Sequence, residues 1–97
     1  MSGLIPLNGP AVYGNLTVTD TAQEVKVGTS ALDQRAIVTV QPLGGHVYYG
    51  YDSSVTALTG TKIFKGQTMP FEATEQLQVY VVSETGASID VRITEVG

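Results

Sequence analysis

The ten residues HVYYGYDSSV, from His46 to Val55, hold the side chains best suited to chemistry in this chain. They include its only histidine, three of its five tyrosines and an Asp-Ser-Ser turn. A histidine acts as a catalytic acid or base only when the fold brings a nucleophile or carboxylate to it. Asp52 is the near candidate, six positions away in sequence. Those two residues are too few for a closed zinc site, which takes about four ligands. The simpler reading of His46 is a strand start after the Gly44-Gly45 turn. Asp20, Asp33, Asp52 and Asp90 sit beside Thr, Ser or Gln in turns, or on an outward strand face. There an aspartate hydrogen-bonds its own backbone. No glycine loop suited to phosphate and no calcium-loop spacing is present. The chain is therefore expected to be no enzyme and to hold no cofactor and no metal.

The tyrosines allow a different chemistry. In a strand, Val47, Tyr49 and Tyr51 share one face, and His46, Tyr48 and Gly50 share the other. Two tyrosines at i and i+2 on an exposed face form a flat platform that could stack sugars or bases, or enter a protein interface. The competing reading puts Val47, Tyr49 and Tyr51 along the core edge, with Tyr48 facing out beside Gly50. Tyrosine suits strands and often keeps its hydroxyl at the rim. The packing reading is preferred.

Ninety-seven residues suit one domain with one small core. The absence of cysteine excludes disulfides and thiolate chemistry. The net charge is −4, and Lys26, Arg35, Lys62, Lys65 and Arg92 are scattered, with no basic stripe for a nucleic-acid backbone. No apolar run has the length of a membrane span. The opening MSGLIPLNGP lacks the cationic and apolar regions of a signal peptide, which predicts a soluble protein made in a cytoplasm. The Asn15-Leu16-Thr17 sequon is read as a chance tripeptide at a strand start.

Positioning falls to strands. Almost every periodic segment has period two. SIDVRITEV alternates Ile89, Val91 and Ile93 with Asp90, Arg92 and Thr94. LQVYVV places Leu77, Val79 and Val81 on one face. RAIVTVQP is apolar on both faces and reads as a central strand ended by Pro42. AQEVKVG turns Val25 and Val27 inward. LTVT, HVYYGY, TKIFKG and TMPFEA complete the set, and Pro70 demotes the last to an edge or bulge. SALDQR could form a single helical turn. Turn-forming residues separate the runs at short intervals. The expected fold is all-β, an antiparallel β-sandwich or jelly roll of seven to eight short strands. Its expected core holds Val25, Val27, Val38, Val40, Leu77, Val79, Val81, Ile89, Val91 and Ile93.

Residues 1–14 differ from the rest, with two prolines and three glycines among isolated apolar residues. They are read as an extended N-terminal arm before a domain of residues 15–97. Leu4, Ile5, Leu7, Val12 and Tyr13 are its anchors, laid across the chain's own core or on a neighbouring subunit.

From Val47 the elements follow a distinctive order. Val47, Tyr48 and Gly50 lead into the turn Asp52–Thr56, and Lys65-Gly66-Gln67 makes the next turn. Val79–Ser83 and then Val91–Glu95 complete the pattern. Upstream, residues 18–44 fit as strand, loop and central strand. This order, over about residues 16 to 97, resembles a class of small virion proteins of tailed bacteriophages. The Pro42 and Gly44-Gly45 turn departs from the Asn-rich turn expected there, and the arm lies outside the match. The resemblance implies a capsid decoration (cement) protein, or a head-fibre or tail-associated module. Such proteins are β-sandwiches, often homotrimers, without enzymatic activity. It implies the major capsid protein or other virion proteins as partners, with no nucleic acid or membrane, and a place in the virion. Acidic charge favours the capsid exterior. Tyr48 and Tyr51 become candidate contacts to a neighbour. The alternative expectation is a carbohydrate- or receptor-binding piece of a fibre, with the tyrosines as its platform.

Overall fold

The computed structural model describes residues 9–84, 86 and 88–97, and turns the period-two pattern into eight strands. These are β1 (Ala11–Val18), β2 (Gln23–Glu24), β3 (Ile37–Pro42), β4 (Val47–Gly50), β5 (Thr61–Ile63), β6 (Met69–Phe71), β7 (Tyr80–Val82) and β8 (Ile89–Val96). No helix forms among the described residues. SALDQR makes a turn instead, in which Gln34 adopts a left-handed φ of 58°.

The strands pair as nested antiparallel couples: β1 with β8, β2 with β7, β3 with β6, and β4 with β5. This is one long hairpin folded between β4 and β5. Pairing of β3 with β8 and of β4 with β7 then rolls the hairpin into two four-stranded sheets, β1-β8-β3-β6 and β2-β7-β4-β5. That order is the jelly roll of the sequence expectation. β3 is central, as its two-sided apolarity requires, and Pro70 lies in an edge strand.

Side-chain parity builds the core. β8 alternates Ile89, Val91, Ile93 and Glu95 inward, while β3 turns Val38, Val40 and Pro42 inward. Val18 and Phe71 join them from the first sheet, and Val25, Val47, Ile63, Val79 and Val81 face them from the second side. Val27 is partly buried against this cluster. Leu77 corrects the expectation. It is 46% exposed, because β7 begins only at Tyr80 and Leu77 closes a turn whose N–H reaches the Thr74 carbonyl at 3.1 Å. Val18, Val47, Ile63, Phe71 and Ala73 are core residues that the expectation omitted.

A second, smaller apolar contact covers the outer side of β2-β7-β4-β5. The loop after β4 folds back and seats Val55 over Gly50 and Gly60. A Cβ at either glycine would come within 2.7 or 2.8 Å of Val55 Cγ2. The β5–β6 turn also depends on a glycine. Gly66 has a φ of +83° and Gln67 N–H closes on the Phe64 carbonyl at 2.9 Å, the geometry of a type II turn.

Residues 11–14, expected in the arm, are the first half of β1 and pair with β8 in continuous register. Leu4, Ile5 and Leu7 lie outside the described residues.

Candidate functional site

The histidine and the aspartate of HVYYGYDSSV stand at opposite ends of β4. The four residues of β4, Val47–Gly50, lie between them. His46 Nδ1 accepts a hydrogen bond from the Lys65 N–H at 2.8 Å, and its ring meets Phe64 edge-on at 5.4 Å. It ties the β3–β4 loop to the β5–β6 turn. Asp52 accepts from the Ser54 hydroxyl and from the Ser54 N–H at 3.0 Å. These two hydrogen bonds hold its carboxyl below the usual carboxylate value. Asp90 pairs with exposed Arg92 at 3.0 Å. Among the described residues, no group of three His, Asp or Glu side chains gathers in a way that could hold a metal ion.

The tyrosines separate by strand parity. Tyr49 turns inward and packs edge-on against Phe71 at 4.8 Å and Tyr51 at 6.0 Å. Tyr51 follows the end of β4 and is 54% exposed. Tyr48 turns outward, opposite Lys62 on β5 and Val82 on β7. Its hydroxyl donates to Glu84 Oε2 at 3.2 Å, and Lys62 Nζ lies 6.0 Å from its ring centroid. Partial burial, then the Glu84 hydrogen bond and the Glu84 charge, push the Tyr48 phenol above its ordinary value. Tyr49 and Tyr51, the i and i+2 pair, therefore form no flat exposed platform: their rings stand at 74° to one another and Tyr49 is turned against Phe71. Val47 and Tyr49 line the core, and Tyr48 faces out beside Gly50.

The most exposed aromatic lies on the other sheet. Tyr13 is 84% exposed on the outer face of β1, while Val12 points inward and is half-buried. A shallow depression of about 500 Å³ beside it is lined by Tyr13, Gly14, Asn15, Arg92 and Ile93. Of the described interface candidates, Tyr13 lies on the outer face of β1, Tyr48 on the outer face of β4 and Tyr51 just past the end of β4, while Val12 faces inward.

The strongest electrostatic feature was not singled out by the sequence reading. Arg35 is 1% exposed and Glu95 is fully buried. Arg35 Nη1 donates to Glu95 Oε2 at 2.8 Å and to the Val25 carbonyl at 3.3 Å. Nε donates to the Ala73 carbonyl at 2.9 Å, and Nη2 to the Thr74 and Leu77 carbonyls at 2.9 and 3.0 Å. All five N–H groups of the guanidinium thereby have acceptors. Glu95 also accepts the Val27 N–H at 2.9 Å and the Leu32 N–H at 3.0 Å. The network pins the β2–β3 and β6–β7 loops to the end of β8. It is sealed from solvent and fully paired, which makes it a structural latch. A signal for half of it was present: Glu95 continues the inward parity of Ile89, Val91 and Ile93. Arg35 precedes β3 and is turned inward after the Gln34 bend, so parity could not find it.

Comparison with known protein families, curated proteins and solved structures finds no match to this chain.

Proposed function

We propose that this chain is a non-enzymatic structural protein of a phage virion, binding the outer capsid surface as a decoration protein and stabilising the particle. One observation carries the reading: the segments that resemble small phage virion proteins fold in jelly-roll order, β1-β8-β3-β6 over β2-β7-β4-β5. Jelly rolls recur among viral capsid domains. Valine and isoleucine fill the space between the sheets, so recognition falls to the outside of the molecule. The net charge of −4 suits an exterior position better than a DNA-lined interior. The partners in this reading are the major capsid protein and further copies of the chain. In this reading Leu4, Ile5 and Leu7 are candidate contacts to a neighbouring subunit by their apolar chemistry alone, and Tyr13, Tyr48 and Tyr51 supply exposed or half-exposed aromatic contacts.

The test is sedimentation of the purified chain with empty capsids of the phage that encodes it. Saturable co-sedimentation is expected, together with a rise in the temperature at which the particle breaks. Deleting residues 1–8 should weaken that binding and leave subunit stability almost unchanged. Absence of co-sedimentation, with glycan binding abolished by Tyr48→Ala, would overturn the reading in favour of a sugar-recognising module.

A further inference from the structure

The four sheet edges of this molecule are not alike. An open edge presents unpaired N–H and C=O groups to any passing strand, and soluble proteins usually blunt it. β2 is two residues long and carries Glu24, ion-paired with Lys26. β5 is three residues long and carries Lys62. β6 is three residues long and contains Pro70, which has no N–H. β1 is different: eight residues, AVYGNLTV, without a charge, a proline or a bulge in its register with β8.

Hydrogen-bond phase shows which β1 groups are free. Gly97 N–H donates to the Pro10 carbonyl at 2.9 Å, and Pro10 stands one step before the Ala11–Val96 pair. Bonded and non-bonded pairs alternate in an antiparallel ladder. Val12, Gly14, Leu16 and Val18 therefore bond to β8, while Ala11, Tyr13, Asn15 and Thr17 aim their N–H and C=O groups at the open side. The Gln23 side chain marks the phase by donating to the Thr17 carbonyl at 2.7 Å, an exposed contact that must swing aside or share that oxygen when a strand pairs there. The chain enters β1 along the end of β8, where Gly9 N–H reaches the Gly97 carbonyl at 3.1 Å, so residues 9 and 10 leave the edge clear.

The edge is also self-complementary. Set antiparallel to itself with the two-fold axis at Gly14, Ala11 stands opposite Thr17 of the second copy and Tyr13 opposite Asn15. All four outward-bonding residues are then used. Gly14 faces Gly14 in a non-bonded pair, the closest approach in such a ladder. On the inner side Val12 meets Leu16 of the second copy. Both are half-buried in the single chain and are covered in the pair. On the outer face the exposed Tyr13 ring lies over the cross-strand neighbour.

We propose that β1 pairs antiparallel with β1 of a second copy about a two-fold axis at Gly14, joining two β1-β8-β3-β6 sheets into one continuous eight-stranded sheet. The contact is isologous and closes at two copies, unlike the heterologous contact of a trimer. It goes beyond the virion reading and is tested without capsids.

Analytical ultracentrifugation of the full chain should show a concentration-dependent species of twice the 10.2 kDa chain mass. Because the chain has no cysteine, Gly14→Cys gives a disulfide only where two copies of residue 14 meet. A non-bonded pair puts its Cα atoms about 4.5 Å apart, within disulfide reach. The new Cβ meets Val27 Cγ1 at 3.2 Å, a side-chain contact that can yield. Gly14→Cys should cross-link on mild oxidation and Ala11→Cys should not. Asn15→Pro removes an N–H that faces the edge and not β8, and should raise the dimer dissociation constant about tenfold or more. Should that variant misfold by circular dichroism, charge pairs decide: Tyr13→Lys with Asn15→Asp keeps the dimer, and Tyr13→Asp with Asn15→Asp dissociates it. A native protein that stays monomeric or forms a trimer overturns the proposal. So does a dimer indifferent to these substitutions, or Ala11→Cys cross-linking as readily as Gly14→Cys. A native monomer that dimerises only after deletion of residues 1–8 assigns the edge to the chain's own arm, which also overturns it.

Discussion

Replacing Arg35 by methionine should remove most of the stability of this domain. The substitution keeps much of the side-chain volume and deletes the guanidinium. Glu95 is then left buried with only the Val27 and Leu32 N–H groups as partners. Four carbonyls lose a donor at the same time. Thr74 and Leu77 are exposed residues, so their carbonyls can turn to water, whereas Val25 and Ala73 are buried. Breaking a buried ion pair from one side costs about 3–5 kcal/mol. An orphaned buried carbonyl adds about 1–3 kcal/mol before relaxation. A loss of about 4 kcal/mol or more is expected, against a total of roughly 5–15 kcal/mol for a domain. At about 4–8 °C per kcal/mol for a domain of this size, calorimetry should show the melting temperature falling by roughly 15–30 °C. Native-state hydrogen exchange should show Val27 and Leu32 amides losing protection first, since both donate to Glu95. Replacing both partners, Arg35→Met with Glu95→Leu, should recover part of the loss, because no charge is then stranded. A single mutant within about 1 kcal/mol of native, or a double mutant that loses the full sum, would refute the latch.

Two further outcomes test the packing and the electrostatics. Val79→Ala should cost roughly 1–4 kcal/mol as a buried truncation, while Leu77→Ala, on the exposed turn, should stay within about 0.5 kcal/mol; urea midpoints that rank them the other way would refute the inward placing of Val79 and the outward placing of Leu77 in the segment before β7. The Tyr48 phenol is raised in the folded state, so the folded chain holds that proton more tightly than the unfolded chain. Its contribution is complete below the ordinary tyrosine range and is lost as pH rises through the folded-state value. An NMR titration should find Tyr48 ionising at lower pH in Glu84→Gln, though still raised, since partial burial is the larger cause and persists. An unchanged Tyr48 titration would remove Glu84 from the account.

Local pattern alone determined the fold class, the central place of β3 and most of the core. Ile89, Val91 and Ile93 alternate with polar residues, and a half-buried strand is the conformation that puts such a set on one side. Pro70 marked an edge because a missing N–H breaks an inner ladder. The doubt about Tyr49 and Tyr48 was also answered by parity once Val47 was known to face inward. Leu77 escaped because alternation shows which residues share a face only while the chain stays extended, and the Thr74 turn ends that before β7. The β1 boundary escaped because Pro10 and Gly14 look like arm residues, and only β8 alongside makes Ala11–Gly14 a strand. Glu95 was legible from its place after Ile93, but its partner was not. Arg35 lies sixty positions away in sequence, and its acceptors come from separate loops. Which distant groups meet is decided by how the hairpin rolls, and rolling is a property of the two sheets together. The same holds for the β1 edge: its uncharged sequence is local, but its being an edge at all depends on β8 taking one side and on no described strand taking the other.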